Sequence, residues 1–132
     1  MVNKFNEGSK KIFERTVRPE DTAMFEGGVV HPVYATFALA RDAEWSSRLF
    51  VLEMKEEHEE GIGTFVNVKH VSPALVGEVV LFEAVIDELK GNEINCTFTA
   101  TTGGRLIAEG RTGQKIIPKL KLEAIFERIG NR

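Results

Sequence analysis

The stretch TFALARDAEWSSRLFVLEMK, residues 36–55, decides the fold because it is the one long segment of helical character in the chain. It has no glycine or proline, alanine recurs in it, and apolar residues return at helical spacing. We therefore predict a helix from Thr36 to Lys55, with one stripe formed by Phe37, Ala40, Ala43 and Ser47. Thr36 is expected at the N-cap, where its hydroxyl accepts a hydrogen bond from an unpaired first-turn N–H.

Strand patterns lie on both sides of this helix. Residues 10–17 predict a short strand before it, and Pro19-Glu20-Asp21, Gly27-Gly28 and Pro32 indicate a loop between the two. The acidic run Glu56–Glu60 indicates that the helix ends in a solvated loop. Four further strand patterns follow, with turns at Gly91-Asn92 and Gly103-Gly104, and they cover residues 62–71, 78–89, 93–100 and 105–117.

Alternation of apolar and polar residues assigns side chains to the faces of these strands. In residues 62–71 it predicts one face shared by Ile62, Thr64, Val66, Val68 and His70. In residues 93–100 one face is formed by Ile94, Cys96, Phe98 and Ala100, so Cys96 is expected in the core rather than as a nucleophile. A short C-terminal helix is indicated by the apolar residues from Leu120 to Ile129.

The order of these elements predicts the fold class. A strand, a long helix and four more strands linked by tight turns indicate an α+β domain, in which a five-stranded antiparallel sheet wraps around one helix. We find no repeat or long linker, so residues 1–132 are expected to form a single domain.

Composition narrows the function. The formal net charge of −3 argues against nucleic acid as a partner, because nucleic-acid binders usually show a basic surplus. No stretch approaches the roughly 18 apolar residues of a membrane span, and the first residues lack the apolar segment of a signal peptide. The single cysteine excludes an intrachain disulfide. We expect a cytoplasmic protein with no membrane partner.

Three residues are candidates for chemistry. His70 ends a strand face, where a histidine is a hydrogen-bonded core residue more often than an acid or base. Glu44 lies in the middle of the helix, where it either forms a surface ion pair with Arg48 or Arg41 or faces the sheet within reach of His70. Thr36 is either a plain N-cap or a hydroxyl that lies beside the carbonyl of a substrate. His31 and His58 are expected in solvated loops, and no residues show metal-ligand spacing.

The surroundings of these three residues resemble the fluoroacetyl-CoA thioesterase family of hotdog proteins over residues 8–117. Glu44 follows Thr36 by eight positions and His70 follows Glu44 by twenty-six, as in that family. The motifs that carry the resemblance are Val33-Tyr34-Ala35-Thr36, Glu44-Trp45, Gly61-Ile62-Gly63-Thr64 and His70, with Gly77, Gly91 and Gly110 downstream.

The resemblance implies a hotdog fold and a catalytic set of Thr36, Glu44 and His70. It also implies a substrate site lined by Gly63, Thr64, Val33, Tyr34 and Gln114. This sequence departs from the family at three places. Gln114 stands where the family has an arginine, Arg41 and Asp42 replace small or apolar helix residues, and residues 25–31 differ from the lid of the fluoroacetate-handling member.

These features predict an acyl-CoA thioesterase for a small acyl group, with no cofactor. Glu44 either activates water or attacks the carbonyl itself to give an anhydride, and the sequence leaves both routes open. Candidate contacts for the coenzyme A phosphates are Arg111, Lys115, Lys119 and Lys121. A hotdog hydratase or dehydratase and a non-catalytic acyl-CoA binding module are the alternatives. From the fold we expect at least a homodimer, with a higher homo-oligomer as a further option.

Overall fold

The computed structural model describes residues 1–25 and 28–131, with the backbone alone for 24, 25 and 29–31. The chain forms seven strands and two α-helices within these ranges, with a short 3-10 turn at Pro19–Asp21. In chain order they are β1 (Lys10–Thr16), β2 (Thr22–Phe25), β3 (Gly28–Tyr34), α1 (Thr36–Met54), β4 (Glu59–His70), β5 (Val79–Lys90), β6 (Glu93–Thr102), β7 (Arg105–Pro118) and α2 (Lys119–Gly130).

Five strands form one antiparallel sheet in the order β1-β5-β6-β7-β4, and α1 packs against it. The predicted α+β class is therefore confirmed, with its long central helix and short C-terminal helix. The order leaves β1 and β4 as the two edges of the sheet. Helix α2 follows β7 and has no buried residue among those described.

The core lies between α1 and the sheet, and its large side chains come from both. Cys96 is fully buried there as a free thiol, as its alternation with Ile94 and Phe98 predicts. Burial raises the pKa of the Cys96 thiol to about 12, so it stays protonated and unreactive at neutral pH. The largest buried side chains include Tyr34, Leu39, Phe50, Phe82 and Phe98.

The predicted stripe on α1 is partly wrong. Ala43 and Ser47 are buried, but Phe37 is 56% exposed and lies on the outer side of the helix. The side that packs on the sheet also carries two polar residues, Asp42 and Ser46, both buried. The prediction used apolar residues alone and therefore missed Asp42. Burial of this carboxylate depends on charged partners from other elements, which the helix sequence does not show.

The segment expected as a loop before α1 forms a small second sheet. Strands β2 and β3 pair there, and Pro32 lies inside β3. Proline is tolerated in this position because a two-stranded sheet leaves half of each strand's N–H groups without a ladder partner. Gly27 lies outside the described residues, and for His31 only the backbone is described. His58 is exposed, as expected, but Glu59 is buried and opens β4.

A β-bulge in β4 overturns the predicted face of residues 62–71. Gly63 pairs with Gln114, but the next pair joins Phe65 to Gly113, so Thr64 is an extra residue. Before the bulge the odd-numbered residues share a face with Gln114, and after it the even-numbered residues do. Ile62 and Thr64 are therefore on the opposite face from Val66, Val68 and His70, whereas Gly63 and His70 share the face that carries α1.

Candidate active site

The first half of the site lies where α1 begins. Thr36 Oγ1 and His70 Nδ1 share a hydrogen bond of 3.0 Å, which joins the start of α1 to the end of β4. Thr36 is not the N-cap that we predicted, because Ala35 occupies that position and no side chain caps the helix. One residue further on, the Thr36 hydroxyl projects towards His70 and leaves the first-turn N–H groups free of any side-chain partner.

This arrangement leaves donors available to a ligand. The first intrahelical bond is from Leu39 N–H to Ala35 O, so the N–H groups of residues 36–38 have no helical partner. His70 Nε2 is buried without a hydrogen-bond partner in the described part of the chain. A surface cavity of about 380 Å³ opens beside them, lined by Thr36, His70, Val71, Ser72 and Pro73. Such a site accepts a carbonyl oxygen that becomes negative during reaction.

The second half of the site lies two turns along α1. The half-buried Glu44 side chain lies over Gly63, so closely that a Cβ built on Gly63 would collide with Glu44 Oε1. The ion pairs considered for Glu44 do not form. Arg48 binds Gly61 O and Glu60, and Arg41 binds Asp42 and Asp21. Among the described residues Glu44 has no hydrogen-bond or ion-pair partner, so its carboxylate is available.

Gln114 lies beside Gly63 on the neighbouring strand β7. It is directly opposite Gly63 in the β4–β7 pairing and is fully buried. Neither Nε2 nor Oε1 of its side chain has a hydrogen-bond partner within the described residues. Burial of an amide without partners costs roughly 1–3 kcal/mol, and such a cost points to a ligand or water as partner.

The two halves do not meet within one chain. Glu44 follows Thr36 by eight residues of helix, which is a rise of roughly 12 Å. His70 follows Gly63 along β4 by roughly 20 Å at the usual rise per strand residue. The carboxylate of Glu44 above Gly63 is therefore beyond hydrogen-bond reach of His70 in the same chain. Our expectation that Glu44 reaches His70 is not met by the single chain.

A buried ionic network holds the start of α1. Asp42 accepts hydrogen bonds from Arg15 at 3.0 and 3.2 Å, from Arg41 and from the Tyr34 hydroxyl. Burial alone would raise the pKa of Asp42, but the bonds from Arg15, Arg41 and Tyr34 outweigh it and lower the pKa. The sequence showed Arg41 and Asp42 as departures from the family and gave no sign of this network.

Asp21 forms the second centre of the network. Its side chain is fully buried and accepts hydrogen bonds from Arg18 and Arg41. These bonds, above all those from Arg18, hold the pKa of the Asp21 carboxyl well below its usual value. The backbone of Asp21 also accepts the Ala35 N–H at 2.8 Å, next to Thr36. The network thus holds the backbone beside Thr36, whose hydroxyl projects towards His70.

Not all of the other predicted site residues have side chains that lie at the Thr36–His70 pair or at the Glu44 carboxylate. Thr64 is the exposed bulge residue, and Val33 is half-buried and bridges Leu75. Tyr34 is in the core with its hydroxyl bound to Asp42, so its side chain does not reach the site. Of the phosphate candidates, Arg111 already pairs with Asp87. Lys119 and Lys121 are exposed on α2, and Lys115 is half-buried.

One group of potential metal ligands appears in the described residues, although the spacing of residues in the sequence predicts none. It consists of Glu56, His58 and Glu59, and the two carboxylates already contact the amino group of Met1 at 2.7 and 2.6 Å. Sequence spacing missed the group because a turn folds these neighbours together. Neither described helix is long and apolar enough to cross a membrane.

Substitution of the two β4 glycines that face α1 is expected to separate activity from stability. In Gly63→Ala the new methyl displaces the flexible Glu44 carboxylate, so we expect kcat to fall at least about tenfold with thermal stability nearly unchanged. In Gly61→Ala the methyl collides with buried Val51, so we expect a loss of about 1–3 kcal/mol of stability. Thiol release and thermal unfolding of both variants test this. Full activity in folded Gly63→Ala would contradict it.

The comparison with solved structures defines the class of protein. A hypothetical protein of Thermus thermophilus, a thioesterase superfamily member, is 41% identical, with a TM-score of 0.93 over 99% of this chain and 97% of that one. The fluoroacetyl-CoA thioesterase FlK is 20% identical, with a TM-score of 0.86 over 96% and 98%. A hot-dog-like protein of Thermanaerovibrio acidaminovorans is 21% identical, with a TM-score of 0.86 over 97% and 96%. The fold is therefore the hotdog fold of the thioesterase superfamily.

The family follows from the sequence profile. The profile of the fluoroacetyl-CoA-specific thioesterase (FlK) family matches residues 17–120, and the chain belongs to this family. It is a thioester hydrolase, as the resemblance implied. A comparison with curated protein sequences gives no match.

Proposed function

We propose that this protein hydrolyses acyl-coenzyme A thioesters with a small acyl group, and that Thr36, Glu44 and His70 carry the chemistry. The observation that carries the proposal is the Thr36–His70 hydrogen bond beside the uncapped start of α1, with His70 Nε2 buried and free. The family and its FlK relatives support the coenzyme A thioester. The proposal does not include specificity for a fluoroacetyl group. Gln114 replaces the arginine of the family, and the sequence of residues 25–31 differs from the lid of the fluoroacetate-handling member.

Each group has a role suited to its surroundings. The thioester oxygen lies at the start of α1, where the free N–H groups of residues 36–38 stabilise the developing negative charge. Thr36 donates to His70 Nδ1, so the neutral imidazole carries its proton on Nε2 and donates a hydrogen bond from there to the departing thiolate, which the proton released by the attacking water finally neutralises. Glu44 removes the proton from the attacking water or attacks the carbonyl itself. Trapping of an acyl-Glu44 species in single-turnover experiments separates these two routes.

We propose that the protein acts as a homodimer, because the Thr36–His70 pair and the Glu44 carboxylate of one chain are too far apart to form a single site. Strand β4 is a sheet edge with unpaired backbone groups, and Phe65 and Val66 on it are 40% and 37% exposed. If two β4 strands pair antiparallel about a two-fold axis at Asn67, with Thr64 again the extra residue, Gly63 of one chain lies opposite the partner's His70. The carboxylate of Glu44 then faces the partner's imidazole, and the dimer has two composite sites.

Mixed dimers test the composite site. Glu44→Gln and His70→Ala chains are each expected to be inactive alone, because each dimer lacks one group at both sites. In a mixed dimer the intact Glu44 and the intact His70 come from different chains and meet at one site. We therefore expect mixing under exchange conditions to restore about a quarter of wild-type thiol release when the chains assort randomly. No recovery in proven mixed dimers would place each complete site within one chain.

A thiol-release assay tests the function itself. We expect the wild-type protein to release coenzyme A from some of a panel of short, branched, aromatic and long acyl-CoAs, with the short ones fastest. His70→Ala should lose most of this turnover, about 10²–10⁴-fold. His58→Ala is a matched control because His58 is exposed and does not line the cavity beside Thr36 and His70. Tight binding of acyl-CoA with no turnover of any member would favour the non-catalytic binding module.

The exposed lysines of α2, Lys119 and Lys121, are proposed to contact the phosphates of coenzyme A, and Lys115 remains a weaker candidate because it is half-buried. Arg111 is less suited because its guanidinium already pairs with Asp87. We also propose a cytoplasmic location, since the substrate class and the one free thiol suit a reducing compartment.

A further inference from the structure

A second cavity lies between α1 and strand β1, at the opposite edge of the sheet from Gly63 and β4. Its volume is about 390 Å³, within the range of small-molecule sites. It is lined by Phe13, Arg15, Arg41, Asp42 and Trp45, none of which belongs to the proposed catalytic set. We propose that this cavity binds a small organic anion, a carboxylate attached to a flat apolar body such as an aromatic ring.

The apolar half of the cavity is aromatic. Trp45, the only tryptophan of the chain, is 40% exposed there. Phe13 packs on Phe82 in the core at a centroid distance of 6.1 Å, and the Arg15 guanidinium lies 5.3 Å from the Phe13 ring centroid. An indole left in water is unfavourable, and a ring of the ligand that covers Trp45 and Phe13 removes that apolar area from water.

The polar half of the cavity carries surplus positive charge. Of its lining residues, Arg15 and Arg41 are cations and Asp42 is an anion. The Arg18–Asp21 pair, which joins this network through Arg41, adds no net charge. The network therefore has a net charge of +1, and this charge favours an anion over a cation or a neutral ligand.

The two arginines that line the cavity have donors left for that anion. Arg15 and Arg41 each bind their acidic partners through Nε and Nη2. The Nη1 groups of both residues have no hydrogen-bond partner among the described residues. A planar carboxylate matches the planar donors of a guanidinium, so the two Nη1 groups suit a carboxylate with its ring against Trp45.

Fluorescence of Trp45 reports binding directly because no other tryptophan contributes. We expect titration of the resting protein with benzoate to give a saturable change, and the isosteric neutral compound benzamide to bind at least about tenfold more weakly. A flat response to benzoate, or equal affinity for the two compounds, would overturn the proposal.

Arginine substitutions test the donors. Arg15→Lys keeps the charge and loses the planar fork, and we expect benzoate affinity to fall at least about fivefold. Arg111→Lys is the matched control, since Arg111 also pairs with an aspartate and stacks on an aromatic ring, but away from the cavity. Equal losses in both variants would contradict the assignment. If Arg15→Lys does not fold, Trp45→Leu measured by calorimetry should bind benzoate at least about tenfold more weakly, and unchanged binding would contradict the site.

The position of the ligand is separable from the proposed catalysis. The titration uses no thioester, so its result does not depend on whether the protein hydrolyses acyl-CoA. We expect His70→Ala and wild-type protein to bind benzoate with the same affinity. Loss of binding in folded His70→Ala would place the anion at the Thr36–His70 group and overturn the proposal.

Discussion

Replacement of Glu44 by glutamine is expected to lower kcat about 10²–10⁴-fold while the fold stays intact. The amide has the size of the carboxylate, so it fits over Gly63 without displacing the strand. It neither accepts a proton from water nor attacks a thioester carbonyl. No ion pair is broken, since Glu44 has no partner among the described residues, so stability should change by less than about 0.5 kcal/mol.

The control for this variant is on the same helix. Glu53→Gln removes an exposed carboxylate that pairs with Lys11, and it is expected to leave kcat unchanged. Thiol release at saturating acyl-CoA and thermal unfolding of both variants are the measurements. If folded Glu44→Gln retains wild-type kcat, Glu44 has no part in the chemistry.

Removal of the buried carboxylate of Asp42 is expected to cause the largest loss of stability. In Asp42→Ala, Arg15 and Arg41 lose their common partner and the Tyr34 hydroxyl is left unpaired in the core. Arg15 and Arg41 are 24% and 50% exposed and become solvated, so the loss comes mainly from the broken hydrogen bonds and the unpaired Tyr34 hydroxyl. We expect about 2–4 kcal/mol, which is a large fraction of the stability of a domain of this size. Urea denaturation measures the change in the free energy of unfolding.

An exposed ion pair supplies the comparison. Asp87→Ala removes the partner of Arg111 at the surface, where such pairs contribute at most about 1 kcal/mol. If Asp42→Ala were no more destabilising than Asp87→Ala, the network around Asp42 would not hold the start of α1 as described.

The secondary structure and fold class could be predicted because they depend on local patterns. Residues 36–55 lack breakers and repeat apolar residues at helical spacing, and α1 occupies Thr36–Met54. Alternation around Cys96 predicted a core strand, and β6 buries Cys96 as expected. The spacing of Thr36, Glu44 and His70 pointed to the family that the sequence profile shows.

The bulge at Thr64 was decided by tertiary structure alone. A prediction from alternation assumes that successive side chains point to opposite faces along the whole strand. It therefore cannot show where a bulge inserts an extra residue. The bulge is a change in the register of β4 against β7 between Gly63 and Phe65. It moves Gly63 onto the face shared with His70, and without it the two would point to opposite faces.

The sequence by itself determined the class of fold, the family and the three candidate residues for chemistry. Only the tertiary structure decided what each of them contacts. In the folded chain the Thr36 hydroxyl hydrogen-bonds to His70 and does not cap the helix. Glu44 has no ion pair among the described residues, and Asp42 is buried. The physical reason is that helix and strand patterns arise from neighbours along the chain. Hydrogen bonds and ion pairs depend instead on residues that folding brings together from distant positions.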